Sequence, residues 1–244
     1  MNMEDAKRAA ARAALDELPD EGIIGLGTGS TARYFIEALS ELILLGKRYV
    51  GVPTSSASRK QARELGVPLL DDDGPWDIAV CVDGADEVDP ELDVIKGRGG
   101  AHAREKIVNC AARKNVVLVD ISKLSLRLGE RAAVPVEVLA FAHATTAHHL
   151  TAFGDASLRV RDGVPVATDD GNLIYDLACG PIAEPDLLDH AIRSIPGVVE
   201  TGLFIARVDV VLVASEFGVE RRTSRRTFSG CERRDPHGAA EGYL

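Results

Sequence analysis

Four times before residue 125 a short apolar, often β-branched run gives way to a polar loop, and three of those loops lead on into residues with helical spacing. Gly22-Ile23-Ile24-Gly25-Leu26 runs into Gly27-Thr28-Gly29-Ser30-Thr31 and a helical pattern over 32–45. Tyr49–Pro53 runs into Thr54-Ser55-Ser56-Ala57-Ser58 and a helix over 58–65. The run at 77–82 ends in Asp83-Gly84-Ala85-Asp86-Glu87, with a helix over 103–113 after a glycine-rich stretch. Asn115–Asp120 ends in Ile121-Ser122-Lys123. Parallel strands need crossovers of a dozen or more residues, and a helix supplies that length; antiparallel hairpins do not. The alternation therefore predicts an α/β fold, a parallel sheet with right-handed crossovers.

The texture changes after about Gly129. Runs at 134–138 and 157–161 read as strands, turn signals stand at Gly163, Asp170-Gly171-Asn172 and Pro181, and 185–195 reads as a helix. Thr168-Asp169-Asp170-Gly171-Asn172 before Leu173-Ile174-Tyr175 suggests a hairpin. This pattern predicts a small α+β domain over 130–203, inserted into a main domain of 1–129 plus 204–222, with one strand over 203–213 returning to the main sheet. The arginines from Arg221 onward lie among Ser, Thr, Gly and Pro, and 223–244 is expected to be a mobile tail.

The formal net charge of −10 argues against nucleic acid or an anionic membrane as a partner. No apolar run is long enough to span a bilayer. Met1–Arg12 is charged and has no signal-peptide core, so a cytoplasmic protein is expected. Cys81, Cys110, Cys179 and Cys231 show no metal-ligand spacing and read as buried, inert thiols. His143, His148 and His149 have no carboxylate at ligand spacing and read as a helix surface or a subunit contact, so no metal is expected.

An acidic chain that binds an anion needs a local positive site, and four polar loops at strand ends are where ligands gather in open parallel sheets. In Gly27–Thr31 the glycines allow close backbone approach, and a helix start favours a phosphate. An ordinary cap by Ser30 or Thr31 explains the same residues. Asp83-Gly84-Ala85-Asp86-Glu87 offers carboxylates for hydroxyls or proton transfer, or is a solvated acidic turn. Lys96-Gly97-Arg98-Gly99-Gly100 brings a lysine into a flexible loop before Arg104-Glu105-Lys106, which is a cation–base pair or a charged surface turn. Lys123 stands just past another strand end. Asp71-Asp72-Asp73 precedes its strand and reads as solvated surface.

Taken together, Gly25–Ala32, Asp83–Glu87, Lys96–Lys106 and Ser122-Lys123, in this order, resemble the A-type ribose-5-phosphate isomerase family. Gly129, Pro135-Val136-Glu137-Val138, Thr168–Asn172 and Ile195–Val199 through Gly202-Leu203-Phe204 continue the likeness, which runs from about Lys7 to Arg222. The resemblance implies a Rossmann-like domain with a smaller, ferredoxin-like α+β domain. It also implies interconversion of D-ribose 5-phosphate and D-ribulose 5-phosphate, a homodimer or homotetramer, and no metal or organic cofactor. It makes Glu105 the proton acceptor, with Asp83, Asp86 and Lys96 as its catalytic companions. Lys7, Thr28, Gly29, Ser30, Thr31, Asp83, Gly84, Ala85, Asp86, Lys96, Gly97, Arg98, Gly99 and Lys123 become the substrate site. Asp83 is expected to move the ring-opening proton.

Three positions depart from the family pattern. Arg98 stands where the family has glycine, His102 where an apolar residue is common, and residues after about Thr223 have no counterpart. An arginine forced into the left-handed region costs about 1 kcal/mol or more. Two other readings remain open: an amino-sugar-phosphate deaminase-isomerase, which would release ammonia, and a non-catalytic sugar-phosphate sensor.

Overall fold

The computed structural model describes residues 3–224 and 226. In chain order its first half contains α1 (Met3–Ala13), β1 (Glu21–Leu26), α2 (Ser30–Leu44), β2 (Arg48–Pro53), α3 (Ser56–Glu64), β3 (Val80–Gly84), β4 (Glu87–Val88), β5 (Val94–Ile95), α4 (His102–Ala111) and β6 (Asn115–Asp120). The second half contains β7 (Val134–Val138), α5 (His143–Leu150), β8 (Asp155–Leu158), β9 (Val160–Arg161), β10 (Val164–Pro165), β11 (Leu173–Ala178), α6 (Pro185–Arg193), β12 (Val198–Thr201), β13 (Leu203–Phe204), β14 (Val210–Ser215) and β15 (Gly218–Thr223).

The main sheet has the order β15-β14-β6-β3-β1-β2 and is parallel except for β15. Its central strands are apolar without alternation because both faces are covered. In β6, Val116 and Leu118 join a core with Ile24, Leu26, Phe35 and Leu39, while Val117 and Val119 face a second core with Val94, Phe204, Val211 and Val213. Burying a side chain such as Phe35 or Leu39 contributes about 1.5–3 kcal/mol. The chain leaves β1 toward β2 but leaves β3 toward β6 on the opposite side. The order of connections therefore reverses between β1 and β3, the place where such sheets open a crevice at their carboxyl ends.

The α+β unit is a β-α-β-β-α-β arrangement, β7-α5-β8-β11-α6-β12, whose antiparallel sheet has the order β12-β7-β11-β8. Val134, Val136, Leu150, Leu177 and Ile192 fill its core. The expected hairpin forms, with the Thr168 amide on the Asn172 carbonyl at 2.9 Å.

The structure corrects the C-terminal reading. The single strand expected over 203–213 is two strands in different sheets. β13 pairs with β5 in a three-stranded sheet, and β14 joins the main sheet. The break falls at Ala206, which is left-handed (φ 52°) and whose amide is held by the Asp93 carboxylate at 2.7 Å. Arg221 and Arg222 sit on edge strand β15, with Arg221 paired to Glu17 at 2.6 Å. Of the expected mobile tail, Thr223 ends β15, the Ser224 amide donates to the Asp209 carbonyl, and Arg226 pairs with Asp93 at 2.8 Å. The rest of the tail lies outside the described residues. Cys81 and Cys179 are free thiols. Cys110, on the half-buried side of α4, is disulfide-bonded rather than free, and Cys231 lies outside the described residues.

Candidate active site

A cleft of about 510 Å3 opens at the carboxyl ends of β1, β3 and β6. Lys7 from α1, Thr28, Gly29, Ser30 and Thr31 at the start of α2, and Gly84, Ala85 and Asp86 after β3 all line it. So do Lys96, Gly97, Arg98 and Gly99 of the glycine loop, Glu105 of α4 and Lys123 after β6. Of the residues the sequence singled out, only Asp83 is absent from the wall; it lies directly beneath. Asp120 and Ser122 also reach the cleft. Their strand-end position was visible in the sequence, but nothing marked them apart from Lys123.

The α2 start has free amides in the arrangement that favours an anion. Its N-cap is Gly29 (φ 103°), and no side chain caps the helix, so the alternative reading of Ser30 or Thr31 as a cap does not hold. The first-turn amides are left facing the cleft, where the dipole favours negative charge. A second layer fixes this loop. The Thr28 hydroxyl lies 2.8 Å from Thr54 Oγ1 and donates to Ser55 Oγ at 2.7 Å, while Ser58 Oγ donates to the Gly27 carbonyl at 2.6 Å. The hydroxyl-rich loop after β2 is thus a brace beneath the site.

The reactive groups form a buried charge triad. Lys96 Nζ lies 2.9 Å from Asp83 Oδ2 and 3.0 Å from Glu105 Oε2, and donates to the Gly84 carbonyl at 2.6 Å. All three side chains are about 95% inaccessible to water. Asp83 Oδ1 accepts the Thr28 amide at 3.0 Å and the Gly84 amide at 2.7 Å. Its place explains Gly27: a Cβ there would stand 2.1 Å from Asp83 Oδ1. The oxygens facing Lys96, Asp83 Oδ2 and Glu105 Oε2, are in ion-pair contact without an aligned hydrogen bond. Glu105 therefore has acceptor capacity to spare.

Two carboxylates and one ammonium cannot all be charged cheaply in so dry a place. Burial first, and then the Asp83 charge, push the Glu105 carboxyl up to about 8 against the pull of Lys96. Asp83 is raised by burial, opposed by Lys96 and by the Gly84 and Thr28 amides. Burial by itself would lower Lys96, but the two carboxylates outweigh it and hold the ammonium protonated.

The glycine loop accommodates Arg98 without strain. The left-handed positions are Gly97 (φ 111°) and Gly100 (φ 78°), and Arg98 is not among the positive-φ residues. Its amide donates to Asp86 Oδ2 at 2.9 Å. Arg159, from the segment joining β8 to β9, holds the Gly97 carbonyl at 2.7 Å while gripping Asp176 through two nitrogens. Sequence reasoning missed Arg159, since an isolated arginine in a strand carries no signal of this role. His102 is fully buried beneath the loop, with Nδ1 lacking a partner among the described residues. Burial, then the Lys106 charge, lower it to about 3, so it is neutral. The three histidines 143, 148 and 149 lie on α5, where His143 Nδ1 meets the Tyr175 hydroxyl at 2.7 Å. No group of three or more metal-capable side chains occurs among the described residues.

A helix start with free amides beside a buried, poorly satisfied carboxylate and a fixed ammonium is the arrangement expected of an enzyme that moves a proton on a small phosphorylated substrate. Comparison with known proteins gives this class its particular family. Residues 50–218 match the family model for ribose 5-phosphate isomerase A (phosphoriboisomerase A), and the chain belongs to that family. It is 44% identical to ribose-5-phosphate isomerase A of Thermococcus kodakarensis, over 91% of this chain and 99% of that one. It is 46% identical to the protein of the same name in Gluconobacter oxydans, over 90% and 96%. Among solved structures it resembles a D-ribose-5-phosphate isomerase in complex with phospho-erythronic acid (TM-score 0.88, 42% identity). The resemblance covers 91% of this chain and all of that one. The Methanocaldococcus jannaschii ribose 5-phosphate isomerase A is also similar (TM-score 0.86, 40% identity, the same coverage).

Proposed function

We propose that this chain interconverts D-ribose 5-phosphate and D-ribulose 5-phosphate through an enediolate, with Glu105 as the base. The observation that carries the reading is the Glu105–Lys96–Asp83 triad opening onto the same cleft as the uncapped start of α2. The substrate phosphate docks on the amides and hydroxyls of Thr28–Thr31, assisted by Lys7 and Lys123. Glu105 removes the C2 proton. The electron pair moves to form the C1–C2 double bond, and the C1 carbonyl oxygen becomes an oxyanion facing the Lys96 ammonium. Glu105 then returns the proton to C1 while the proton of the C2 hydroxyl passes to the C1 oxyanion, leaving a C2 carbonyl and a C1 hydroxyl, the ketose. A base and charge stabilisation are both needed, because a carbon acid is far weaker than a carboxylic acid.

One role differs from the sequence expectation, that of Asp83, while Asp86 keeps the role expected of it. Asp83 lies under the cleft with Oδ1 on two amides and Oδ2 on Lys96, so we assign it to holding and charging Lys96 instead of moving the ring-opening proton. Asp86 lines the cleft and has one oxygen beyond its Arg98 contact, so it is the carboxylate placed to serve the sugar hydroxyls. We also propose the domain division 1–129 plus 204–222 against 130–203, a cytoplasmic setting, and a homodimer or homotetramer. The apolar side chain of Phe141, 89% exposed, supports association.

The test is proton exchange at C2 of ribose 5-phosphate in D2O with excess chelator, read together with ketose formation. Ketose carrying deuterium, abolished in Glu105→Gln, is the expected result. Folded protein that binds the sugar phosphate but neither exchanges nor converts it would replace this reading with the sensor.

A further inference from the structure

The substrate cleft does not end at Lys123. A second lobe of about 670 Å3 continues from it, sharing Asp86, Arg98, Ser122 and Lys123 and adding Arg131, Arg159 and Arg161. Five cations and two carboxylates line this lobe. Asp176 is taken up by Arg159, and Asp86 holds the Arg98 amide. The side chains of Arg98, Lys123, Arg131 and Arg161 then have no ion pair or hydrogen bond among the described residues. Elsewhere cations find carboxylates readily, as Arg104 does with Asp170 and Arg113 with Asp77. In a chain with 38 acidic and 28 basic residues, four unpartnered cations around one hollow are a concentration of charge that composition alone disfavours.

We propose that this lobe is a second anion subsite, continuous with the substrate site, that takes the second phosphate of a sugar bisphosphate. The inference rests on the sugar-phosphate reading of the first lobe. Arginine forks match phosphate oxygens in paired hydrogen bonds, and three of the four free cations are arginines. The lining includes no aromatic ring on which a nucleobase could stack, so a small bisphosphate fits better than a nucleotide. Arg98, which stands where the family pattern has glycine, belongs to both lobes and couples them. A pentose 1,5-bisphosphate has its C1 oxygen esterified and presents no free aldehyde. It holds both lobes without turnover and acts as a competitive inhibitor.

The experiment measures inhibition of isomerisation by ribose 1,5-bisphosphate, with phospho-erythronic acid as the single-phosphate control. Both are tested on wild type and on the double variant Arg131→Gln, Arg161→Gln. The double variant should weaken the bisphosphate by about tenfold, as loss of two charge-assisted contacts implies. It should leave the ribose 5-phosphate KM and the control inhibitor within about twofold. An unchanged bisphosphate constant, or an equal loss for both inhibitors, overturns the subsite. Calorimetric titration of the same bisphosphate into both proteins reads the subsite directly. If the isomerase reading failed, the second lobe would still be judged separately.

Discussion

Replacing Glu105 with Gln removes one negative charge from a buried triad whose formal sum is −1. Activity and stability should move in opposite directions. Burial holds the Glu105 carboxyl up at about 8 in the folded protein, against its ordinary 4.5. Between those values the folded state keeps a proton that the unfolded chain has released, so stability falls as pH rises through that window. The loss is about 1.4 kcal/mol per pH unit, at most roughly 5 kcal/mol by pH 9. Gln carries no such penalty, and its removal of charge leaves Lys96 and Asp83 as a balanced pair. Urea denaturation at pH 5, 6.5 and 8 should show the variant gaining on the wild type as pH increases. The same carboxyl is the base only when ionised, so wild-type kcat/KM should climb tenfold per pH unit below about 8 and level above it. The variant should lose on the order of a thousandfold or more in turnover, while phospho-erythronic acid still binds. A stability difference that stays flat with pH would refute the claim that Glu105 is desolvated, and retained turnover would refute its role.

Other positions give sharper structural tests. Gly27→Ala puts a Cβ 2.1 Å from Asp83 Oδ1 and must displace that carboxylate, so the melting temperature and kcat should both drop; unchanged kcat would show that the Asp83 position is not critical. Arg159→Ala frees the Gly97 carbonyl and leaves Asp176 without its fork, and should raise KM more than it lowers kcat; an unaltered KM would count against this anchoring. His102→Leu removes a buried ring nitrogen without a partner, which costs about 1–3 kcal/mol. Because burial lowers His102 to about 3, below its ordinary 6.5, the wild type should lose stability as pH falls through that window and the variant should lose less. Parallel acid denaturation curves would contradict this.

In each of the two larger sheets the central strands were readable because they are buried almost throughout. Asn115–Asp120 and Val134–Val138 have the bounds expected from β-branched runs. Local pattern failed where tertiary contacts set the chain path. The break at Ala206 depends on Asp93, more than a hundred residues away, and nothing near 203–213 announces it. Edge strand β15 was hidden by its arginines, which keep their heads in solvent or on Glu17 as an edge permits. The site was legible as four polar strand ends, but not the depth of Asp83. That depth follows from the absence of a side chain at Gly27, and the sequence of one strand end cannot report on another.

The run Arg104-Glu105-Lys106 carries the clearest lesson about function. Three consecutive charges at a helix start usually mean a solvated turn. Here each points to a different part of the molecule. Arg104 grips Asp170 of the hairpin at 2.5 Å, Glu105 meets Lys96, and Lys106 donates to Glu200 at 2.9 Å and to the Thr201 carbonyl at 2.8 Å. Lys96 and Lys106 flank the Phe204 ring, at 5.5 and 4.9 Å from its centre. One helical turn therefore aims the base and also ties the α+β unit to the main sheet on both sides of it. A base held this way cannot be loosened without also loosening the small unit. The desolvation that raises the Glu105 carboxyl is supplied on the other side of that turn, where Glu105 is buried beside Cys81, Asn109, Val116, Val117 and Phe204.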